Sequence, residues 1–330
     1  MGAVTSPSPA PPRSGTPWLR RALVANLVLQ VLIVVTGGVV RLTGSGLGCP
    51  TWPNCVPGSY SPVVVEATAY HQYIENGNRV LGAVVMAGAV AALVGVWRWA
   101  RGRRDLMTLA WGVLALTAGQ VVLGGITVLT GLNPGTVMGH FLISMALVTL
   151  STLLVVRERE THPRVPDPGL PVLVRRVGWL TAGVGGLVIV LGTVVTGSGP
   201  HSGDADEPAR FGFDPRTVAW LHADAVMLFC GLVVAMVLAV HLLDRAVAAR
   251  QPWRAVLLVT LAQGLVGYVQ YATKLPELLV LVHMLGAALL TLVLTWAVHS
   301  LHRPAAVTPR AAASAAAGPP LPQGTPASGN

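Results

Sequence analysis

Eight apolar runs dominate the chain: residues 20–40, 72–97, 106–129, 136–156, 174–196, 217–243, 254–272 and 277–299. Each is close to the length of about 20 residues that carries an α-helix across a bilayer core. In hydrocarbon, backbone N–H and C=O groups must pair within the segment, so a helix is the structure such a run permits. Charged residues make up 11% of the chain, against about a quarter in soluble domains, which excludes eight buried helices of a soluble fold. The expected fold class is an all-α integral membrane protein with eight transmembrane helices. The first run lacks a convincing small-residue cleavage site and is long enough to span, so it reads as a retained helix and not as a signal peptide.

The net charge of +9 raises the question of a nucleic-acid partner, and its distribution answers it. Of the 22 Lys and Arg, 17 fall in alternate loops and the tails: Arg13, Arg20 and Arg21, the 98–104, 157–176 and 245–254 segments, and Arg303 and Arg310. The opposite side holds Arg41, Arg210, Arg216 and Lys274, while Arg79 lies inside a run. A Lys/Arg excess marks cytoplasmic loops. The charge therefore sets topology: a multi-pass protein of the cell membrane with both termini cytoplasmic, and no nucleic-acid partner. The tails, 1–17 and 303–330, are rich in Pro, Ala, Ser and Gly and read as disordered.

The chain repeats itself. In "GQVVLGGITVLTGLNPGTVMGH" (119–140) and "AQGLVGYVQYATKLPELLVLVH" (262–283), Gln120 precedes His140 at the same spacing at which Gln263 precedes His283. Both strings are broken by a short polar link, at Asn133–Pro134 and at Lys274–Pro276. The step back from His283 to His222, taken instead from His140, falls beside Asn78. "TGSG" occurs at 43–46 and again at 196–199. The pattern predicts two tandem pseudo-symmetric four-helix bundles, 18–160 and 170–302, in the same orientation, as in parallel-repeat transporters or in bundles that build cofactor sites between facing helices.

Ionisable groups at membrane depth are expensive and direct attention to function. His222 and His283 form a candidate pair on facing helices; two imidazoles on opposite sides of an apolar slot suit haem iron, while the plainer role is interhelical hydrogen bonding. Zinc would need further ligands. In the first bundle His140 faces Asn78. At 3.6 residues per turn, His71, Glu75, Asn78 and Arg79 share one helix face, either as a built site or as a Glu75–Arg79 pair neutralising itself. Asp224 is a weak candidate to orient His222. Gln120 and Gln263 read as helix bridges, Cys230 as a small buried thiol, and His241, His299 and His302 as residues of helix ends; His162 and His201 belong to loops. Cys49 and Cys55, in "LTGSGLGCPTWPNCVPGSY", fall on the extracytoplasmic side, where a disulfide persists.

"GGVVRLTGSGLGCPTWPNC" resembles the first helix exit and cysteine loop of haem A synthases, and "IENGNR" resembles that family's Glu-x-x-His-Arg motif, with Asn78 in place of the His. The resemblance spans residues 20–300 and suggests an actinobacterial-type variant of the family. It implies oxygen-dependent oxidation of the haem O methyl group to the formyl group of haem A. It further implies a haem b cofactor on His222 and His283, and a haem O substrate held by His140 with Asn78, Arg79 and Arg41 around it. Haem iron would thus be the metal at His222, His283 and His140, and Glu75 the catalytic carboxylate. A disulfide-stapled lid over the first bundle, a membrane electron donor, and haem O synthase as a further partner complete the expectation. The competing classes are a di-haem b-type cytochrome in quinol electron transfer and a haem transporter.

Overall fold

The computed structural model describes residues 17–63, 70–160, 164–167, 170–201, 203–204 and 208–304. Residues 1–16 and 305–330, which the sequence reads as disordered tails, lie outside them, as does His162. Among the described residues eight helices are long and apolar enough to cross a membrane. They are α1 (Pro17–Leu42), α2 (Tyr70–Trp99), α3 (Arg104–Leu129), α4 (Pro134–Arg157), α5 (Val172–Ser198), α6 (Pro215–Leu242), α7 (Val247–Ala272) and α8 (Glu277–Ser300). The chain is an all-α, multi-pass membrane protein.

Packing follows the repeat. In the first unit α1 packs on α2, α2 on α3, α3 on α4, and α4 closes back on α1; α5 to α8 form the second ring in the same order. The diagonal helices stay apart, with no Cα of α2 within 8 Å of α4 and none of α6 within 8 Å of α8. Each ring has its own core: Leu19, Leu23, Val96, Leu106 and Leu154 in the first, Phe229, Val233, Met236, Trp253 and Leu301 in the second. The rings meet where α4 and α1 pack on α8 and α4 packs on α5, around Val34, Met145 and Ala288.

The duplication extends to single hydrogen bonds. Thr130 N, Gly131 N and Leu132 N donate to the Ile126, Val128 and Thr127 carbonyls, and Thr273, Lys274 and Leu275 repeat this with Val269, Tyr271 and Gln270, all displaced along the chain by one constant offset. Both turns use two consecutive left-handed residues, Gly131 (φ 59°) and Leu132 (56°), then Lys274 (62°) and Leu275 (62°). Three of these four carry a Cβ, which this region disfavours. The closed turn between antiparallel helices holds them there, and Leu132 is buried against the other exit loops, near Gly46 and Gly203.

Two boundaries differ from the sequence reading. Helix α7 starts at Val247 rather than at 254, ahead of Pro252. Arg250 looks too polar for the span, but it turns back to donate to the carbonyls of Val240 (3.2 Å), His241 (3.4 Å) and Leu243 (3.3 Å), which the end of α6 leaves open. The second "TGSG" is also not an exit like the first. α1 stops at Leu42 and Gly44 turns left-handed (φ 67°), whereas α5 runs on through Ser198. At the opposite end, β1 (Arg164–Pro166) pairs antiparallel with β2 (His302–Pro304), tying the inter-unit linker to the end of α8. The ladder takes in residues 303 and 304, beyond the unit boundary read from sequence. His299, read as a helix-end residue, is buried there against Glu160 (Nε2–Oε1 2.9 Å).

The first ring differs from the second in a buried polar seam. Asn26 Nδ2 donates to Ser151 Oγ (2.9 Å) and Gln30 Nε2 to Thr117 Oγ1 (3.3 Å). At the repeat-related position on α8, Leu294 stands where Ser151 does. Replacing Asn26 with Ala should lower stability by about 0.6–1.7 kcal/mol, the range for single interhelical hydrogen bonds. A double-mutant cycle with Ser151→Ala, read by unfolding in detergent, should return a coupling of that size; zero coupling would mean the pair is incidental.

Candidate functional site

The polar residues gather near the end of the bundle that carries the cysteine loop. Cys49 and Cys55 are joined by a disulfide and are fully buried. Between them the chain makes a compact plug, with Thr51 Oγ1 donating to Asn54 O (2.8 Å).

Arg79 and Glu75, one turn apart on α2, hold this plug. The guanidinium donates through Nη2 to Glu75 Oε1 (2.5 Å) and to Cys49 O (2.8 Å), and through Nη1 to Thr51 O (3.0 Å) and Asn54 O (3.2 Å). It also lies 5.2 Å from the centre of the Trp52 ring. Glu75 Oε2 accepts from Cys49 N (2.6 Å). Glu75 is buried and Arg79 largely so, and five donor groups against three carbonyls and a carboxylate suit the fixed fork of an arginine. The reading of Glu75 and Arg79 as an i,i+4 pair describes part of this; the larger part is a clamp on the loop backbone.

Glycines set how close the plug sits. A Cβ on Gly48 would lie 2.5 Å from the backbone C and O of His71, so only glycine lets the loop meet the start of α2. Gly125 on α3 receives the Trp52 indole, with Nε1 2.5 Å from where a Cβ would be. The Trp52 side chain thereby reaches from the loop to α3, roofing the first ring. His71 is spoken for at this rim: its Nδ1 pairs with Ser45 Oγ (2.8 Å), itself bonded to Thr43 Oγ1 (2.7 Å).

Arg41, expected near the first ring's site, turns toward the seam between rings. Its Nε donates to His201 O (2.5 Å) and its Nη2 to Thr196 O (2.8 Å). Gly46 N donates to Gly203 O (2.9 Å) alongside, and His201 Nε2 pairs with Leu275 O (3.0 Å). Arg41 therefore joins the two exit loops and lines a cavity of about 270 Å³ with Pro200, His201, Asp204 and Arg210.

The three in-membrane histidines share one setting. Each ring rests on a glycine of the preceding helix: His140 Cε1 is 3.5 Å from a Cβ built on Gly124, His283 Cε1 3.6 Å from one on Gly267, and His222 Cε1 3.2 Å from one on Gly192. Gly124 and Gly267 are separated by the same step as the histidines they face, a signal that the sequence carries. Gln120 Nε2 donates to His140 O (2.9 Å) and Gln263 Nε2 to His283 O (3.0 Å), so both glutamines bridge helices as expected. The Nδ1 atoms of His140, His222 and His283 are buried and have no hydrogen-bond partner.

The rings differ in what faces the histidine. In the second, His222 and His283 stand on the diagonal helices α6 and α8. Two imidazoles across an apolar gap, each on a glycine, fit a flat cofactor ligated from both faces. In the first, the diagonal partner of α4 is α2, where Asn78 Oδ1 accepts from Thr36 Oγ1 (2.7 Å) on α1. That ring offers one imidazole and one committed amide. Asp224 does not orient His222, being exposed on another face of α6. Among the described residues no group of three or more His, Cys, Asp or Glu could hold a metal ion.

A tandem pair of four-helix rings, one of them roofed by a disulfide loop, defines a duplicated helical membrane protein. The chain belongs to the COX15-CtaA family, described as cytochrome oxidase assembly protein, whose model matches residues 20–200. It is 31% identical to a heme A synthase of Methylorubrum populi over 355 aligned positions, covering 91% of each chain. It is 32% identical over 143 residues to the heme A synthase of Geobacillus thermodenitrificans and 31% over 140 to that of Geobacillus kaustophilus. Those two matches span 43% and 42% of the relatives' own length.

Removing the clamp should free the loop. Arg79→Ala leaves Glu75 buried without its charge partner, an effect of about 3–5 kcal/mol, strips the Cys49 and Thr51 carbonyls of the guanidinium donor, and leaves Asn54 O with Thr51 Oγ1 alone. Reduction of Cys49–Cys55 by a soluble thiol, followed by alkylation and mass spectrometry, should run at least about tenfold faster than in the wild type. Arg79→Lys, which keeps the charge and loses the fork, should fall between. Equal reduction rates in all three would show that the clamp does not hold the loop.

Proposed function

We propose that the chain is a haem-modifying membrane oxidoreductase that converts haem O to haem A, oxidising a ring methyl to a formyl group with molecular oxygen. One observation carries the reading: the second ring presents His222 opposite His283, while the first presents His140 opposite an amide, Asn78. A symmetric pair suits a resident haem b. A single imidazole beneath a roofed, lipid-sided slot suits a haem that must enter, react and leave.

In this reading His222 and His283 hold haem b, whose iron supplies one-electron redox chemistry. Gly192 and Gly267 leave the room that sets the imidazoles. His140 holds the substrate haem O from the α4 side, and its orientation depends on Gly124 and on the Gln120 bond to its backbone. Asn78, held by Thr36, leaves the α2 side without a strong ligand, as in a variant of the family lacking its helix 2 histidine. Glu75 sits at the roof as the catalytic carboxylate, at the Cys49 amide, where it can hold or pass a proton. Arg79 keeps that carboxylate in place and excludes water by fixing the loop. Arg41 stands further off and acts on substrate only through the seam between rings. The reading calls for a membrane electron donor, and haem O synthase would supply the substrate. Both termini lie on the cytoplasmic side and the Cys49–Cys55 loop outside, in keeping with the charge distribution.

Membranes of cells making this chain together with haem O synthase should accumulate haem A under oxygen and none without it. Glu75→Gln should lower haem A at least about tenfold while bound haem b stays at wild-type level. Haem b alone, with haem A absent from the wild type, would favour a b-type cytochrome. Topology is checked separately: an impermeant maleimide added to intact cells should label a cysteine placed at the exposed loop position Tyr60 (Tyr60→Cys), and labelling only after the cells are opened would invert the orientation.

A further inference from the structure

The outward face of α6 carries a carboxylate that the chain itself does not use. Ala225, Phe229, Val233, Met236 and Val240 are buried and mark the inward face of the helix. At about 100° per residue, His222 lies on that face and Asp224 about 200° round from it. Asp224 is exposed and has no hydrogen-bond or ion-pair partner among the described residues. It stands about 14 Å from the helix start at Pro215, one turn past Trp220, a residue type of the membrane interface. Trp220, Leu221, Met227 and Leu228 around it are exposed and apolar. An ionisable group turned to lipid at this depth is costly, and such groups pair in the assembled protein.

Below Asp224 the same face is cut back. Gly231 and Ala235 follow at i+7 and i+11, both exposed, and a Cβ on Gly231 would meet nothing within 4 Å. Small residues four apart let a second helix approach closely. A second copy of this chain does not answer the charge. Arg79 is bonded into the loop, Arg41 into the seam, and the other Lys and Arg among the described residues lie in loops or within about two turns of a helix end; a symmetric pair would set carboxylate against carboxylate.

We propose that this face of α6, centred on Asp224 and Gly231, seats a transmembrane helix of another membrane protein. That helix bears a Lys or Arg at the depth of Asp224. The charge pair fixes depth and rotation, and the shallow seat at Gly231 and Ala235 admits the backbone. The inference does not rest on the haem reading, since the face points away from both rings' interiors.

The test uses the full chain, donor-labelled, in phosphatidylcholine bilayers. It is titrated with an acceptor-labelled Leu/Ala host helix of about 22 residues, long enough to span, carrying either one Lys at the depth of Asp224 or Leu there. The Lys host should associate at least about tenfold more tightly than the Leu host. Asp224→Asn should erase the difference, Asp224→Lys should transfer the preference to a host bearing Asp, and Gly231→Leu should weaken the Lys host by a similar factor. Equal binding of the two hosts to the wild type, or indifference to Gly231→Leu, overturns the proposal. So does energy transfer between two differently labelled copies of the chain that Asp224→Asn abolishes, which would make a second copy the occupant. The comparison of hosts on the wild type needs no variant to fold.

Discussion

A single, largely buried guanidinium organises the end of the molecule where its chemistry is expected. Arg79 neutralises Glu75, gathers the carbonyls of Cys49, Thr51 and Asn54, and lies over Trp52. In a low-dielectric setting neither the carboxylate nor the loop carbonyls could remain without it. The disulfide closes the loop on itself, but the clamp attaches it to α2, and Trp52 on Gly125 attaches it to α3. Loop, carboxylate and helix rim therefore form one unit. A change at any of them is felt at the others, so Glu75 is at once a structural group and the reacting carboxylate of the proposed function.

Among the described residues the second ring has no such disulfide-closed roof and is held differently. Its apolar core centres on Trp253 and Phe229, and its polar contacts include the Gln263 bridge, Arg250 on the end of α6, and the bonds of Arg41 and His201 across the seam. Duplication has kept the frame, down to the left-handed turns before α4 and α8, and varied what the frame encloses. One ring has a matched imidazole pair in an apolar surround; the other has a buried polar seam, one imidazole and a clamped lid. That division supports a resident cofactor in one ring and a visiting substrate in the other.

Much of the frame was legible in the sequence because membrane helices announce themselves by length and apolarity. The repeat was legible because Gln120, His140, Gln263 and His283 are rare polar letters in apolar text. The same contrast exposed Glu75, Arg79 and His222. What stayed hidden was backbone chemistry. The carbonyls that Arg79 and Arg41 bind have no sequence signature, so neither the clamp on the cysteine loop nor the bridge between the two exit loops was legible there. Arg250 disguised the start of α7 by capping α6. The two "TGSG" strings looked alike, yet Gly44 turns left-handed and ends its helix while Gly197 stays helical against Phe211.

The division of labour between the rings is tested most directly by haem stoichiometry and spectroscopy on the purified chain beside His222→Ala and His140→Ala. Bound haem b, with its six-coordinate bis-imidazole signature, should be lost in His222→Ala and retained in His140→Ala. Loss in His140→Ala with retention in His222→Ala would contradict the assignment of the two sites.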